Sequence, residues 1–285
     1  MSRTVYVNGD FLPEQEASIS IFDRGFLFAD GVYEVTAVVD GHMLDFEPHM
    51  DRLQRSLGEI SLESPYDRDT LRAMHEELIA RNQLDQGLIY MHITRGPADR
   101  DFHYPKQPVP TLIGFTQASN LVDNPKAASG IKVASVPDIR WARRDIKSIA
   151  LLAQAMAKQA AADKGASEAW MVEDGFVTEG SSSTAYIVKG GRIITRQLSQ
   201  KVLAGITRRA LLKLAEQENV EIEQRPFTLD EAKGADEAFL SSASTLVFPV
   251  IEIDGVPIGD GTPGPVARKL RRIYLELARR RPDSA

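Results

Sequence analysis

The chain has 285 residues, 43% hydrophobic and 26% charged, which is typical of a globular protein with one large or two smaller domains. Its formal net charge of −6 argues against a nucleic-acid partner, and the absence of cysteine excludes disulfides, thiolate metal sites and cysteine nucleophiles. No apolar run approaches the ~20 residues of a membrane helix, and the first residues lack a signal peptide's apolar region. We therefore predict a cytoplasmic protein with no membrane partner and no metal site.

The first part of the chain predicts a small α/β domain at residues 1–118. TVYVNGDFL reads as two strands joined by an Asn-Gly turn, which is a strong hairpin signal. EPHMDRLQRSLGEI and TLRAMHEELIARN carry apolar residues at helical spacing, and LIYMHITRG and TLIGFTQAS are strand-like. NLVDNPKAASG is polar and contains proline and glycine, so we predict a linker at residues 119–130.

Residues 131–285 predict a larger α/β domain that begins with the strand IKVASVPDIRWA. A helix is expected from about Ser148 to Lys164, because alanine favours helix and Gly165 can end it. EAWMVEDGFVTEG and STAYIVKGGRIITR each read as two strands joined by a turn. GITRRALLKLAEQENV predicts a helix. Further strands are predicted at EIEQRPF, AFLSS and VFPVIEIDG. GPVARKLRRIYLELARRR predicts a basic amphipathic helix with a solvated charged face. The predicted fold is two α/β domains with mixed or antiparallel sheets flanked by helices.

A lysine stands between two isoleucines in RRDIKSIALL, just before the predicted alanine-rich helix. If the flanking residues keep water from its amine, the pKa of Lys147 falls and the amine becomes a better nucleophile toward a carbonyl. The alternative is a lysine that extends from a helix entrance to solvent.

Two further patterns supply complementary groups. Glu179, in VTEGSSSTAYIV, follows a strand and precedes three serines, where its carboxylate can pair with a protonated ring nitrogen; the alternative is a solvated turn acid. Gly205 leads into a helix whose first free N–H groups, on Ile206 and Thr207, can bind an anion; the alternative is a simple helix start. Arg52 can add a guanidinium to the same phosphate or lie in solvent. A lysine, a ring-nitrogen carboxylate and a phosphate cradle are the parts of a pyridoxal phosphate site.

The chain resembles the fold-type IV, or class IV, pyridoxal-phosphate aminotransferases over nearly its whole length. The stretches that carry the resemblance are FDRGFLFADGVYEV, HMDRLQRSL, RRDIKSIALL, VTEGSSSTAYIV, VLAGITRRAL and FLSSASTLVFPVIEIDG. The resemblance implies a two-domain enzyme that binds pyridoxal 5′-phosphate, with the lysine and most of the cofactor site in the larger domain. It also implies a homodimer with the active site near the subunit interface.

The family pattern assigns roles to matching residues. It makes Lys147 the covalent anchor of the cofactor and the shuttle for the substrate's α-proton, Glu179 the partner of the pyridine nitrogen, and Leu203 the residue on the ring face.

The same pattern assigns the phosphate contacts to Arg52, Ile206 and Thr207. The serine-rich turn before VFPV adds Ser242 and Ala243. Family members often carry a threonine where this chain has Ala243, so only a backbone N–H remains there.

Within the family, the chain is most similar to the D-amino-acid aminotransferases, which bind the substrate carboxylate through a tyrosine, an arginine and a histidine. Tyr33 and Arg100 match this pattern, whereas His103 lies one residue later than the usual R-x-H spacing. The alternatives are a loop arginine paired with Asp99 or Asp101 and an ordinary loop histidine.

The predicted reaction is transamination between a D-amino acid such as D-alanine and a 2-oxo acid such as 2-oxoglutarate. Three activities on the same fold stay open: a branched-chain L-amino-acid aminotransferase, an (R)-amine transaminase and an aminodeoxychorismate lyase. A binding module without cofactor would require the lysine, the glutamate and the phosphate cradle all to be coincidental.

Overall fold

A computed structural model describes residues 2–279, which form two compact units. Within the described residues, the first contains 2–120 together with Ile146–Ala150, and the second contains Leu121–Asp145 and 151–279. Each unit combines a sheet with helices, so the predicted α/β class with antiparallel and mixed sheets is confirmed.

The first unit is built on a six-stranded sheet in which every neighbouring pair is antiparallel. The order of its strands across the sheet is β2-β1-β6-β5-β3-β4. Its elements in chain order are β1 (Thr4–Val7), β2 (Asp10–Pro13), α1 (Arg24–Phe28), β3 (Gly31–Val39), β4 (His42–Met43), α2 (Phe46–Glu59), α3 (Arg68–Asn82), β5 (Gly87–Thr94) and β6 (Thr111–Ala118).

Helices α2 and α3 cover one face of this sheet. Met50, Leu53 and Leu57 of α2 recur at helical spacing, and all three are buried in one core with strand residues such as Ile89 and Met91. The Asp67 side chain caps α3 by accepting a hydrogen bond from Thr70 N–H. This burial makes both helices part of the unit's core and fixes the position of Arg52, which α2 carries.

The lysine segment pairs with the start of β3 instead of opening a helix. β4 pairs only with the end of β3, so the first residues of β3 have an open edge. Residues 146–150 cover it: Tyr33 N–H donates to Lys147 O at 2.9 Å, and Ile149 N–H donates to Gly31 O at 3.1 Å. The expected helix starts only at Leu152, and the lysine lies in the first unit rather than in the predicted domain 131–285.

Gly31 permits this close approach. A Cβ at this position would lie 2.7 Å from Ile93 O and 3.1 Å from Ile149 Cδ1, so any larger residue would push the lysine segment or β5 away.

The second unit is built on a nine-stranded mixed sheet of order β12-β11-β10-β13-β14-β7-β8-β9, with β15 paired to β14. The pairs β7·β8, β7·β14 and β11·β12 are parallel. Its elements are α4 (Pro125–Ser129), β7 (Ile131–Pro137), α5 (Leu152–Asp163), β8 (Glu168–Glu173), β9 (Phe176–Gly180), β10 (Thr184–Lys189), β11 (Arg192–Thr195), α6 (Ile206–Gln217), β12 (Ile222–Gln224), α7 (Leu229–Lys233), β13 (Glu237–Ser242), β14 (Leu246–Ile253), β15 (Val256–Pro257) and α8 (Pro265–Ala278).

The predicted linker 119–130 is largely part of the second unit. It contains α4 and the buried residues Leu121 and Val122. Arg271, on α8, donates to the backbone oxygens of both residues and to those of Thr245 and Val247. A buried guanidinium therefore fastens this segment to the turn that follows β13.

The C-terminal helix α8 is amphipathic as predicted, although residues 280 and 281 of the predicted helix lie outside the described residues. Across residues 2–279, no helix combines the length and apolar character that a membrane span requires.

Candidate active site

Lys147 and Tyr33 lie side by side in the first unit. The Lys147 Nζ atom is 4.0 Å from the centre of the Tyr33 ring, and the lysine is half-buried. Lys147 N–H also approaches Ser56 Oγ at 3.3 Å, so the backbone on both sides of the lysine is bound to the first unit. The structure thus brings together the predicted nucleophile and the predicted tyrosine of the substrate site.

Two residues that the sequence analysis missed share this face of the sheet. Tyr90 stacks on Tyr33 with ring centroids 5.5 Å apart, and its hydroxyl lies 3.2 Å from His92 Nδ1. Burial lowers the pKa of His92 to about 4, so His92 is neutral at pH 7. Tyr33 and His92 are direct partners in the β3·β5 register, and the period of two along β5 places Tyr90 on the same face.

Arg52, predicted to bind phosphate, is buried against a carboxylate. Its Nε and Nη2 atoms donate to Glu34 at 2.8 and 2.7 Å, and His49 Nδ1 lies 2.7 Å from the same carboxylate. Burial alone would raise the pKa of Glu34, but Arg52 and His49 hold it at about 2. Glu34 therefore fixes the direction of a guanidinium whose planar fork of five N–H donors suits phosphate oxygens.

The loop after β5 presents Arg100 and His103 to solvent. Arg100 lies over the rings of Phe28 and Phe102, at 5.5 and 5.7 Å, and makes no ion pair within residues 2–279. His103 has a side chain 93% exposed, and its Nδ1 lies 2.9 Å from Asp101 Oδ1. The arginine thus differs from the alternative of a carboxylate-paired loop residue, whereas the histidine has the contacts of an ordinary loop residue.

Buried charges anchor this loop. Arg24 donates to Asp30 at 2.7 Å and to the backbone oxygens of Asp101 and His103 at 2.6 and 3.3 Å. Arg95 donates to the same Asp30 carboxylate at 2.8 Å. The DRG and TRG motifs therefore share one buried ion cluster that sets the path of the loop carrying Arg100.

In the second unit, Glu179 lies at the end of β9 with its side chain 8% exposed. Arg140 Nη1 donates to Oε1 at 2.5 Å, and Leu203 N–H approaches Oε1 and Oε2 at 3.3 and 3.2 Å. Burial raises the pKa of Glu179, and Arg140 only partly offsets this effect. A buried carboxylate of raised basicity can hold a proton on a ring nitrogen.

Leu203 leads directly into the predicted phosphate cradle. Gly205 is the N-cap of α6 and has no side chain to satisfy the first N–H groups, which belong to the buried residues Ile206 and Thr207. In the same unit, Ser242 Oγ contacts the side chains of Ser244 and Thr245 in the turn between β13 and β14, which also contains Ala243. These groups supply N–H and O–H donors, as phosphate oxygens require.

The three serines after Glu179 turn toward another carboxylate. Ser181 Oγ makes a short hydrogen bond to Glu168, and Ser182 and Ser183 approach it at 3.3 Å. Glu168 also pairs with Lys158 at 3.1 Å. Glu168 therefore organises the turn that follows Glu179.

Each unit, taken by itself, carries groups of the kinds that pyridoxal 5′-phosphate requires. The first unit offers an amine for the aldehyde and a guanidinium for phosphate, and the second offers a buried carboxylate for the ring nitrogen and free helix N–H groups for phosphate. Among the described residues, no cluster of histidines and carboxylates is arranged to hold a metal ion.

Comparison with known proteins decides the family. The model of the family Amino-transferase class IV matches residues 31–253. The chain belongs to this family. Its members use pyridoxal 5′-phosphate, so the predictions of a class IV aminotransferase and of its cofactor are confirmed.

Similar proteins and structures agree with this result. A D-alanine aminotransferase of Staphylococcus aureus (strain N315) is 40% identical over 270 residues, which are 94% of this chain and 95% of the relative. That of Bacillus licheniformis is 36% identical over 94% of each chain. The branched-chain amino acid aminotransferase of T.th., complexed with N-(5′-phosphopyridoxyl)-L-glutamate, has a TM-score of 0.91 at 26% identity and covers 99% of this chain and 96% of its own.

The pH dependence of stability tests the Glu34–Arg52 contact. The pKa of Glu34 falls from 4.5 to about 2 on folding, so the unfolded chain binds the proton more readily. The contribution of Glu34 to the free energy of unfolding is complete above pH 4.5 and disappears as the pH falls toward 2. We expect Glu34→Gln to flatten this part of the profile, measured by urea unfolding.

The control for this measurement is Glu252→Gln, which removes a carboxylate paired with the exposed Lys132 in the second unit. It should keep the wild-type slope. A slope for Glu34→Gln equal to that of the wild type would mean that the buried pair does not hold the Glu34 pKa down.

Proposed function

We propose that this enzyme catalyses transamination between a D-amino acid, such as D-alanine, and a 2-oxo acid, such as 2-oxoglutarate. The observation that carries the proposal is the position of Lys147 Nζ, 4.0 Å from the centre of the Tyr33 ring. The proposed reactive amine thus lies beside the proposed substrate-binding tyrosine. Similarity to D-alanine aminotransferases over 94% of the chain supports the choice of D-amino acids.

Lys147 carries the central step. Its Nζ would hold the aldehyde carbon of pyridoxal 5′-phosphate, and the free amine would take the proton from the donor's Cα and give it back, as general base and then general acid. The cofactor, when bound, supplies the conjugated ring that withdraws electrons from the reacting carbon. Because the backbone of Lys147 is fixed to β3, only its side chain needs to move when the amine takes up and releases this proton.

The second unit holds the proton and the phosphate. Glu179 would accept the ring nitrogen's N–H and keep that proton on the nitrogen, and Leu203 would pack on the ring face. Ile206 and Thr207 donate to the phosphate, and the turn at Ser242 and Ala243 adds further donors.

The first unit binds the remaining groups. Arg52, oriented by Glu34, donates to the phosphate. Tyr33 and Arg100 bind the substrate's α-carboxylate, and Arg100 is suited to this task because no carboxylate of the described residues neutralises it. His103 contributes only in a rearranged loop, because its imidazole now contacts Asp101.

We propose that the enzyme is a homodimer. The first unit exposes large apolar side chains on two segments that contact each other through the Phe28 and Phe102 rings, 5.5 Å apart. These exposed residues are Ile19, Ile21, Phe22, Phe26, Phe102, Tyr104 and Val109. Exposed large apolar side chains that gather on neighbouring segments are typical of a subunit interface. Cytoplasmic location stays a prediction.

The dimer can be tested on this surface. Phe102 is 78% exposed. Phe102→Glu would place a charge in the proposed interface, so we expect this variant to sediment as a monomer. Leu152→Glu changes a residue of the second unit that is 75% exposed and should leave the dimer intact. A monomeric wild-type protein would contradict the proposal.

The reaction is tested with paired D- and L-amino acids as donors and 2-oxoglutarate or pyruvate as acceptors. D-alanine should be a much better donor than L-alanine or L-leucine. Lys147→Ala should abolish turnover and the visible absorption band of the bound cofactor while the far-UV spectrum is retained. Lys164→Ala, which removes an exposed lysine bound to Ser135 O, is the matched control. Undiminished turnover without Lys147, or preference for L-leucine, would refute the proposal.

Arg100→Ala tests the carboxylate contact. We expect KM for D-alanine to rise about 10- to 150-fold, as the loss of one charge-assisted contact of 1.5–3 kcal/mol implies, with unchanged affinity for the cofactor. An (R)-amine without a carboxylate serves as internal control, because its KM should not change. If KM for D-alanine stays at the wild-type value, Arg100 does not bind the carboxylate.

A further inference from the structure

Seven charged side chains of the second unit form a row of alternating sign that ends at Glu179. In order, they are Glu179, Arg140, Asp138, Arg144, Glu173, Lys201 and Asp174. Successive N···O distances are 2.5, 2.7, 3.3, 2.7, 2.7 and 3.2 Å. The side chains of the first four are at most 8% exposed, so this end of the charged row is shielded from solvent.

The hydrogen bonds at the buried end distinguish the two oxygens of Glu179. Oε1 accepts from Arg140 Nη1, whereas Oε2 is approached, within the described residues, only by Leu203 N–H at 3.2 Å. Arg140 is itself held by Asp138, through Nε–Oδ1 at 3.0 Å and Nη2–Oδ2 at 2.7 Å. Thr178 Oγ1 donates to Asp138 Oδ2 at 2.6 Å, which fixes that carboxylate beside β9.

The charges of the row matter as much as its geometry. Arg140 alone would neutralise Glu179 and make its carboxylate a weak partner for a ring-nitrogen proton. Asp138 cancels the charge of Arg140, and Arg144 is shared between Asp138 and Glu173. Four acids and three bases leave the charged row with one formal negative charge, which a protonated ring nitrogen at Glu179 would balance.

We propose that Asp138 and Arg140 are positioning residues that act through Glu179, leaving Oε2 ionised and directed to hold the proton on the cofactor's ring nitrogen. The inference rests on the proposed function, because it requires the ring nitrogen to meet Glu179. Arg140 sets the orientation of the Glu179 carboxylate. Asp138 partly neutralises Arg140 and so limits the electrostatic effect of Arg140 on Glu179.

Other groups that face Glu179 do not alter this balance when Asp138 or Arg140 is changed. Arg208, on α6, is buried and interacts electrostatically with Glu179, and it is retained in each variant. The backbone N–H of Leu203 is likewise retained. Glu179 is buried, and burial raises its pKa. Because charges interact strongly in such surroundings, the loss of Asp138 or of Arg140 should clearly change the pKa of the ring nitrogen.

The test measures the ring nitrogen directly, by the ¹⁵N chemical shift of cofactor labelled at that atom and bound to the protein, as a function of pH. Asp138→Asn exposes Glu179 to the full charge of Arg140, so the pKa of the ring nitrogen should fall by about 1 unit or more. Arg140→Gln removes that charge, so the ring nitrogen should hold its proton to a higher pH than in the wild type. If Asp138 and Arg140 merely supported the fold, both substitutions would shift the pKa of the ring nitrogen in the same direction.

Two further proteins complete the experiment. The double variant Asp138→Asn, Arg140→Gln removes one charge of each sign and should return the titration toward that of the wild type. Arg143→Gln removes a cation of the same loop that pairs with Asp145, outside the charged row, and should leave the titration unchanged. The inference is overturned if Asp138→Asn leaves the pKa unchanged, or if Arg143→Gln acts like Arg140→Gln.

The result separates this inference from the proposed function. A wild-type protein that does not bind the labelled cofactor would refute the function itself. A wild-type protein that binds it with a protonated ring nitrogen, together with variants that show the same titration, would refute only the roles of Asp138 and Arg140.

Discussion

The position of Lys147, the proposed reactive lysine, depends on a strand pairing. β3 lacks a partner at its first residues, and the segment 146–150 fills that edge through Tyr33 N–H and Gly31 O. Lys147 thereby lies beside Tyr33, although they are more than a hundred positions apart in the sequence. A helix start, which the alanine-rich sequence suggests, would instead fix the lysine through the second unit. The pairing places the amine on the same rigid sheet as the tyrosine, Tyr90 and His92.

Glu34 and Glu179 are both buried carboxylates held beside an arginine, but the consequences differ. At Glu34 the cation and His49 prevail over burial, so the pKa lies at about 2 and the carboxylate acts as a fixed support for Arg52. At Glu179 burial prevails, so the pKa is raised and the carboxylate can serve as a proton partner. Arg140 has a second carboxylate to satisfy, which weakens its effect on Glu179. The two carboxylates therefore differ because Glu34 has Arg52 and His49 beside it, whereas Glu179 shares Arg140 with Asp138.

Local patterns predicted much of the fold. The spacing of Met50, Leu53 and Leu57, the Asn-Gly turn, and Gly205 before α6 each depend on neighbouring residues, and the structure has the expected elements at these places. The lysine segment was placed wrongly because its partner, the open edge of β3, is distant in the sequence. The linker prediction failed to anticipate α4 and the buried Leu121, whose backbone is bound by Arg271 from the far end of the chain. Non-local contacts override local propensity in both cases.

The site shows the same division between reactive groups and their supports. Lys147, Glu179 and Arg52 stand in recognisable motifs, whereas Glu34, Asp138 and Arg140 have no pattern that separates them from ordinary charged residues. Their importance arises from contacts between elements: Glu34 of β3 with Arg52 of α2, and Arg140 after β7 with Glu179 at the end of β9. A reactive group must be one particular residue type, so it can be recognised in a sequence motif. Supporting charges need only a position and a sign, so they become visible only once the fold has brought them together.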